Sequence, residues 1–167
     1  MFYTHGIRAV GVDTIAAEAG VSKRTLYNHY PSKDALIAAY LTARFKHIAP
    51  SDAPAAEQIL GVFDRLERVF ESTGFRGCPF VNAVAEISDP KHPASGIAAR
   101  FKEERRLWFK ALLERLKVKD ADALATQLAI LTDGAIATAL VRGDAAIARS
   151  ARSAAQTLLR AAGVRLG

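Results

Sequence analysis

The segment from residue 22 to residue 33 concentrates side chains that can donate hydrogen bonds, and it contains no acidic residue. Arg24 can donate two parallel hydrogen bonds to a guanine edge, Asn28 can pair with an adenine edge, and Lys23 can reach a base or a phosphate. Phosphate oxygens are the better match for the four other candidates, which are Thr25, Tyr27, His29 and Lys33. These residue types, so close together, predict contacts with double-stranded DNA.

A packing or solvated role is the alternative for several of these side chains. Tyr27 can pack partly between two helices, and His29 can occupy an ordinary surface position. Lys23 and Arg24 can belong to a solvated basic face of a helix. We prefer the DNA interpretation for these two because of their place within a helical motif.

Two short helices joined by a sharp turn must position these side chains. Small apolar residues recur at helical spacing over residues 12–19, which predicts a first helix with a narrow apolar stripe. We expect Gly20 to end this helix in a left-handed conformation and Ser22 to cap the second helix. In the second helix, Leu26 and Tyr30 are spaced to share an inward face, so that the polar side chains project elsewhere.

The run from Ile15 to Leu36 reads Ile-Ala-x-x-Ala-Gly-Val-Ser-Lys-x-Thr-Leu-Tyr-x-His-Tyr-Pro-Ser-Lys-x-Ala-Leu. It resembles the DNA-binding signature of tetracycline-repressor-type (TetR-family) transcriptional regulators. The resemblance implies an all-α protein, in which a helix-turn-helix DNA-binding domain precedes a helical ligand-binding and dimerisation domain. It also implies a repressor that a small-molecule effector releases from palindromic operator DNA, with phosphate contacts at Tyr27, His29 and Lys33.

The start of the chain departs from the family pattern. Family members begin with a helix of several turns that braces the helix-turn-helix, whereas Met1 to Gly6 matches only the last turn of that helix. Without the brace, we expect four residues to be partly uncovered, namely Val10, Val12, Ile15 and Tyr30. The alternative function is therefore a helical small-molecule-binding dimer whose DNA binding is impaired because the first helix is missing.

Beyond Pro31, turn-forming residues separate a series of helical segments, and no strand-like alternation of useful length occurs. The predicted helices cover residues 32–48, 53–72, 80–88, 94–116, 121–141 and 145–162. We expect two domains. Residues 1–47 form the helix-turn-helix domain with a truncated first helix, and residues 48–167 form a helical domain that binds an effector and makes a dimer.

The middle helices carry the candidates for an effector pocket. Aromatic and aliphatic side chains at helical spacing could line an apolar cavity, with two polar groups one helical turn apart. The candidates are Phe63, Leu66, Phe70, Phe80, Asn82, Val84, Glu86, Trp108, Phe109 and Leu112. Plain hydrophobic core is the alternative for the apolar members, and Asn82 and Glu86 can instead cap or buttress neighbouring helices.

The last two predicted helices bear on assembly. The helix over residues 121–141 is apolar around most of its circumference, so it must be covered on more than one side. A second copy of the protein can supply that cover in a four-helix bundle across a twofold axis. The expected interface consists of Leu128, Leu131, Gly134, Ala135, Thr138, Ala139, Leu158 and Leu159. The alternative is an internal core helix.

Composition bounds the class of protein. The 167 residues carry a formal net charge of +6, shared equally between residues 1–50 and 51–167, which is general support for an anionic partner. No apolar run approaches bilayer length and no basic leader precedes a hydrophobic stretch, so we predict a cytoplasmic protein without membrane contact. The single cysteine, Cys78, is expected to be a small buried residue rather than a redox sensor.

Catalysis and metal binding are not expected. The histidines lack metal-ligand spacing, and they stand at His5, His29, His47 and His92. The chain has no phosphate-cradling glycine loop, and Cys78 has no recognisable base in a matching motif. We therefore predict a protein that is not an enzyme and that needs no metal and no cofactor.

Overall fold

The computed structural model describes residues 1–45, 47–48 and 51–166. Within these residues it contains α-helices and no strand, which confirms the all-α class. The helices are α1 (Phe2–His5), α2 (Val12–Glu18), α3 (Lys23–His29), α4 (Lys33–Arg44), α5 (Ala55–Phe70), α6 (Pro79–Ile87), α7 (Pro93–Arg115), α8 (Ala121–Arg142) and α9 (Ile147–Ala161).

The observed helices match the predicted segments, with small differences at their ends. The largest difference is in α4, which was expected to reach about residue 48 and ends at Arg44. Three residues of the predicted end and of the break after it, Lys46, Ala49 and Pro50, lie outside the described residues.

Side-chain caps begin the two helices that carry the predicted DNA contacts. Ser22 Oγ accepts a hydrogen bond from the backbone N–H of Thr25 at 3.0 Å, and Ser32 Oγ accepts one from Ala35 at 3.0 Å. Gly20, with a φ of +65°, takes the left-handed conformation predicted for the turn between α2 and α3. The caps and the turn could be predicted from the sequence because each depends on residues at most three positions apart.

The helices pack into two compact units. Unit 1 consists of Met1–His47 and Cys78–Phe101, and unit 2 consists of Ile48–Gly77 and Lys102–Gly167. One division falls between residues 47 and 48, and residues 78–101 pack with the first unit. The physical reason is burial, because Phe80 and Ala83 from α6 share a hydrophobic core with Ile37 and Leu41 from α4. The assignment of DNA-binding and effector-binding domains on either side of residues 47 and 48 stays a prediction.

Unit 2 has its own hydrophobic core. It is built from α5, α8, α9 and the part of α7 that follows Phe101, with Ile59, Phe63, Leu113 and Leu128 deeply buried. Ion pairs at the rim connect neighbouring helices: Arg149 with Glu67 and Arg152 with Asp64 between α9 and α5, and Lys102 with Asp133 and Arg106 with Asp122 between α7 and α8. The apolar core provides most of the stabilisation, because exposed ion pairs contribute little.

Helix α8 is long and apolar enough, by length and composition, to cross a membrane, in contrast to the expectation that no apolar run approaches bilayer length. One such helix is weak evidence for a membrane span, because a helix in the core of a soluble protein can have the same length and hydropathy. Leu124, Ala125, Leu128 and Ala135 of α8 lie in the core of unit 2, so packing against α5 and α9 accounts for part of its apolar composition.

Candidate nucleic-acid interface

Helix α3 is a polar helix anchored by one apolar side chain. Leu26 is buried, and it is the only buried residue of α3, all of which the structure describes. Tyr30 was expected to share this inward face, but its side chain is 37% exposed. The helix ends at His29 and Tyr30 has extended backbone angles, so the helical spacing that would have turned Tyr30 inward stops one residue earlier.

Two base-reading candidates lie on one exposed face of α3. Arg24 and Asn28 are four positions apart in the helix, and both are exposed to solvent. This spacing places their hydrogen-bonding groups one turn apart on the same side. A guanidinium and a carboxamide so arranged suit neighbouring bases in a major groove.

Lys23 forms an ion pair with an acidic residue of the neighbouring helix. Its Nζ lies 2.9 Å from Oδ1 of Asp13 and donates a hydrogen bond to Oδ2 at 3.1 Å. This hydrogen bond, followed by the charge of Asp13, raises the pKa of Lys23 above its usual value. Asp13 is in the first turn of α2, so the ammonium group of Lys23 is shared with the neighbouring helix.

The four phosphate candidates lie on α3 and at the start of α4. Tyr27 and His29 are exposed on α3, and Lys33 is half-buried in the first turn of α4. Thr25 is less available, because its Oγ1 lies 2.8 Å from Ser22 Oγ in a hydrogen bond that completes the cap. The assignment of phosphate contacts to these residues stays a prediction.

Replacing Asp13 should strengthen DNA binding. In Asp13→Asn, Lys23 loses its carboxylate partner and becomes free to neutralise a phosphate. We expect tighter binding at low salt and a slope of log K against log salt that steepens by about 0.9, the value for one additional phosphate contact. Fluorescence titrations of a duplex over a range of salt concentrations measure both quantities.

The control for this variant is Glu18→Gln, which removes an exposed negative charge from the other end of α2. It should leave the salt slope unchanged, because it frees no basic side chain. Equal steepening in both variants would show that net charge, and not the partner of Lys23, is responsible.

The effector-pocket candidates fall in both units. Phe63, Leu66, Phe70, Trp108, Phe109 and Leu112 belong to unit 2, and Phe80, Asn82, Val84 and Glu86 belong to unit 1. Phe63, Phe109 and Leu112 are buried in the core of unit 2, and Phe80 is buried in that of unit 1. For these four, the structure favours the plain-core alternative, because each is enclosed by side chains of its own unit.

The remaining pocket candidates differ in their surroundings. Leu66, Phe70 and Trp108 are half-buried at the edge of the core of unit 2, while Val84 is exposed. Asn82 is half-buried on α6. Glu86 is a buttress, since its Oε2 accepts hydrogen bonds from the backbone N–H groups of Ile7 and Arg8 at 2.7 and 3.0 Å.

The predicted dimer interface includes residues that face inward. Leu128, Ala135, Ala139 and Leu159 are buried within a single chain, so they cannot provide a surface for a second copy. Leu131 and Leu158 are half-buried, and only Gly134 and Thr138 are exposed. The packing of α8 on α5 and α9 decides this, because it selects one face of a helix that is apolar on several sides.

The apolar stripe that α8 leaves exposed shares only Gly134 with the predicted interface. Ile130 is 66% exposed and Val141 is 86% exposed, and Gly134 and Ala137 lie between them on the same stripe. We call these four residues the outer stripe of α8. Their spacing of four, three and four residues was visible in the sequence and is the signal that could have identified them.

Unit 1 also contains a groove of about 480 Å³ beside α1. Aromatic and apolar side chains from α1 and α4 line most of it, together with Ile15, Tyr30 and Arg44. The guanidinium of Arg44 lies 4.7 Å from the centre of the Tyr3 ring.

Val10 was expected to be partly uncovered, but the structure corrects this expectation. Val10 is buried because it packs into the core of unit 1.

Comparisons with known proteins agree with this arrangement. The sequence model of the family described as "Bacterial regulatory proteins, tetR family" matches residues 1–40. The HTH-type transcriptional regulator YjdC of Escherichia coli (strain K12) is 25% identical over 170 aligned residues, which cover 97% of this chain and 89% of the relative.

Two solved structures resemble the whole chain. A TetR-type transcriptional regulator from Streptomyces avermitilis is 34% identical, with a TM-score of 0.85 and coverage of 98% of this chain and 92% of that protein. A TetR-family regulator from Streptomyces coelicolor is 32% identical, with a TM-score of 0.84 and coverage of 96% and 89%. These relatives are transcriptional regulators and not enzymes. With this identity across nearly the full length of both chains, the protein belongs to the TetR family of DNA-binding transcriptional regulators.

Proposed function

We propose that the protein is a homodimeric repressor whose α3 reads a palindromic operator and that a small-molecule effector releases it from DNA. The observation that carries the proposal is the exposed face of α3, where Arg24 and Asn28 stand one turn apart beside two capped helix starts. Repression is supported by the transcriptional repressor KstR2 of Mycobacterium tuberculosis (strain H37Rv), which is 28% identical over 120 residues covering 67% of this chain and 59% of the relative.

Distinct roles follow from the chemistry of the exposed side chains. Arg24 and Asn28 contact base edges, and Lys23 contacts a base or a phosphate once it leaves Asp13. Three residues contact phosphates, namely Tyr27, His29 and Lys33, with Thr25 contributing mainly through the helix cap. The N–H groups at the starts of α3 and α4 add favourable dipole ends for phosphate oxygens.

The outer stripe of α8 supports assembly into a homodimer. An apolar stripe that includes Ile130 and Val141 is costly to leave in water, and Gly134 and Ala137 allow a second helix to approach closely. The exposed residues of α9 include two arginines, Arg149 and Arg160, and five small residues, Ser150, Ser153, Ala154, Thr157 and Ala161. Two copies related by a twofold axis would present two α3 helices to a palindrome, with half-sites about one DNA turn or a multiple of it apart.

The effector is proposed to be a largely apolar small molecule that binds beside the core of unit 2. The half-buried side chains Leu66, Phe70 and Trp108 offer aromatic and aliphatic contacts there. Release follows if the effector prefers a conformation in which the two α3 helices are wrongly spaced. We place the protein in the cytoplasm, in agreement with its lone cysteine and its DNA partner.

Selection of bound sites from random duplex DNA tests the proposal directly. We expect an enriched palindrome whose half-site spacing reports the geometry of the dimer. A protein that enriches no sequence would contradict the proposed function. It would favour the alternative, a helical small-molecule-binding dimer with impaired DNA binding.

Substitutions on α3 and α4 should separate base reading from phosphate contact. We expect Arg24→Ala to weaken binding to the selected duplex by about 1–3 kcal/mol and to relax the preference at one base position. Lys33→Ala should weaken binding to all sequences alike and make the salt slope shallower by about 0.9. Gel-shift or fluorescence titrations with matched and mismatched duplexes measure these effects.

The control is Arg68→Ala, which removes an exposed arginine from α5 of unit 2. It should bind the duplex as tightly as the parent does. Parent-like binding by both Arg24→Ala and Lys33→Ala would show that the interface has been assigned to the wrong residues.

A further inference from the structure

The helix-turn-helix has almost no hydrophobic core of its own. Between Val10 and Ile37, a stretch that the structure describes completely, only Ala16 and Leu26 are buried. Two buried side chains stabilise a helix pair weakly, because burial of apolar surface is the main favourable contribution to packing. The orientation of α2 and α3 therefore depends on how the chain is held just before and just after them.

A carboxylate on α6 holds the chain before α2. Oε2 of Glu86 accepts hydrogen bonds from the backbone N–H groups of Ile7 and Arg8, at 2.7 and 3.0 Å, across nearly half the length of the chain. Hydrogen bonds from N–H groups to an ionised acceptor are roughly twice as strong as neutral ones. This contact fixes the turn that leads from α1 into α2.

Gly6 makes the close approach of this carboxylate possible. Its φ is +88°, a conformation that side-chain-bearing residues rarely adopt, and a Cβ placed there would lie 3.0 Å from Oε2 of Glu86. The backbone turn and the carboxylate are therefore fitted to one another. A larger residue at position 6 would push them apart.

A histidine holds the chain after α3. Nδ1 of His92 accepts a hydrogen bond from the backbone N–H of Ala94 at 3.0 Å, which leaves Nε2 to face α4. That Nε2 lies 3.3 Å from Oδ1 of Asp34, in the first turn of α4. The His92 side chain is 9% exposed, whereas that of Asp34 is 64% exposed, so the imidazole approaches the carboxylate from the inner side.

Glu86 and His92 are carried by one short segment with its own internal hydrogen bonds. Ser88 ends α6 in the left-handed conformation, and Asp89 accepts hydrogen bonds from the backbone N–H groups of Lys91 and His92. Its carbonyl oxygen also accepts one from Ser95 Oγ at 2.9 Å. The two contacts with the helix-turn-helix are thus linked through a compact turn.

We propose that Glu86 and His92 are positioning residues for DNA binding, which hold the helix-turn-helix at both ends and set the orientation of α3. The proposal rests on the proposed reading of DNA by α3, and it assigns a role to two residues that need not touch DNA themselves. A change that separates Glu86 from the Ile7–Arg8 backbone would leave α3 folded but incorrectly oriented. Loss of the contact between Glu86 and this backbone would therefore lower the affinity for DNA although every DNA-contacting side chain is still present.

The test compares Glu86→Ala and Glu86→Gln with the parent in the full chain, using the duplex that the parent selects. We expect Glu86→Ala to bind about tenfold more weakly, the equivalent of one hydrogen bond to a charged group. Glu86→Gln should lose less, because its neutral amide oxygen still accepts hydrogen bonds from the turn. The salt slope should stay unchanged, since no phosphate contact is removed.

Hydrogen exchange supplies a readout that a general loss of stability would not reproduce. In Glu86→Ala the amides of Ile7 and Arg8 should exchange faster, while the core amides of unit 2 keep their protection. His92→Ala, which removes the second contact, should also weaken DNA binding. Glu114→Ala, an exposed acid on α7, is the control and should match the parent in both measurements.

The outcomes separate this proposal from the proposed function. A parent that selects no duplex overturns both. A parent that binds DNA, with folded Glu86→Ala and His92→Ala variants that bind equally well, overturns only the positioning role. A loss of affinity that merely follows the unfolded fraction seen by circular dichroism also overturns it. If Glu86→Ala does not fold, the isosteric Glu86→Gln decides, and parent-like affinity with faster exchange at Ile7 and Arg8 counts against the proposal.

Discussion

The double variant Ile130→Asp/Val141→Asp is expected to be a monomer with greatly reduced affinity for operator DNA. Both residues lie on the outer stripe of α8, where they are 66% and 86% exposed in the single chain. If a second copy covers this stripe, each aspartate would be buried in the interface without a positive partner, at a cost of about 3–5 kcal/mol. We expect the dimer dissociation constant to rise by at least about a thousandfold.

Analytical ultracentrifugation and light scattering measure the oligomeric state of this variant, and DNA titration measures its affinity. Because the substituted residues are exposed in the single chain, each chain should keep its helical content. Val69→Asp is the matched control, since it places a carboxylate at another exposed apolar position of unit 2, on α5. A dimer that survives both substitutions in α8 would exclude the outer stripe as the interface.

Phe63→Ala is expected to lower the free energy of unfolding by about 3–5 kcal/mol, the largest stability effect we predict. The Phe63 side chain is 1% exposed in the core of unit 2, where residues of α5, α7, α8 and α9 meet. Removing its ring forfeits the transfer free energy and leaves a cavity that neighbouring side chains fill only partly. Stability on this scale is a large fraction of what a typical domain possesses.

Chemical denaturation at one fixed protein concentration measures this loss, since dimerisation would make stability depend on concentration. Val69→Ala, on the same helix but 48% exposed, is the control and should change stability by about 0.5 kcal/mol or less. A small loss in Phe63→Ala, together with binding of an apolar compound, would instead show that this region is an open effector pocket.

Local features were predictable because their causes lie within a few residues. Ser22 caps α3 through the N–H of Thr25, and Gly20 turns the chain in the left-handed conformation, as expected from their residue types. The helical segments followed from apolar spacing, and the run from Ile15 to Leu36 was sufficient to identify the family. The exposed polar face of α3 was also predictable, since it depends only on helical spacing and on the buried side chain of Leu26.

The sequence does not specify which helix faces pack inward or which helices pack together, because these contacts involve residues far apart in the chain. Helix α8 is apolar on several sides, and only packing against α5 and α9 shows that Leu128 and Ala139 face inward while Val141 faces outward. In the same way, residues 78–101 join unit 1 because Phe80 fills a core built largely from the first part of the chain. Apolar spacing identifies a buried side chain but not the unit that buries it.

The amino-acid sequence alone specified the helices, their caps and the chemistry presented on α3, because hydrogen bonds and rotamer preferences within a turn or two decide them. Tertiary structure decided which acid pairs with Lys23, which face of α8 is available to a second copy, and that Glu86 binds the backbone of Ile7 and Arg8. Each of these features depends on packing between different helices or segments, and no spacing pattern in the sequence indicates which groups meet. A backbone N–H is present at nearly every residue, and only folding selects the one that a given carboxylate meets.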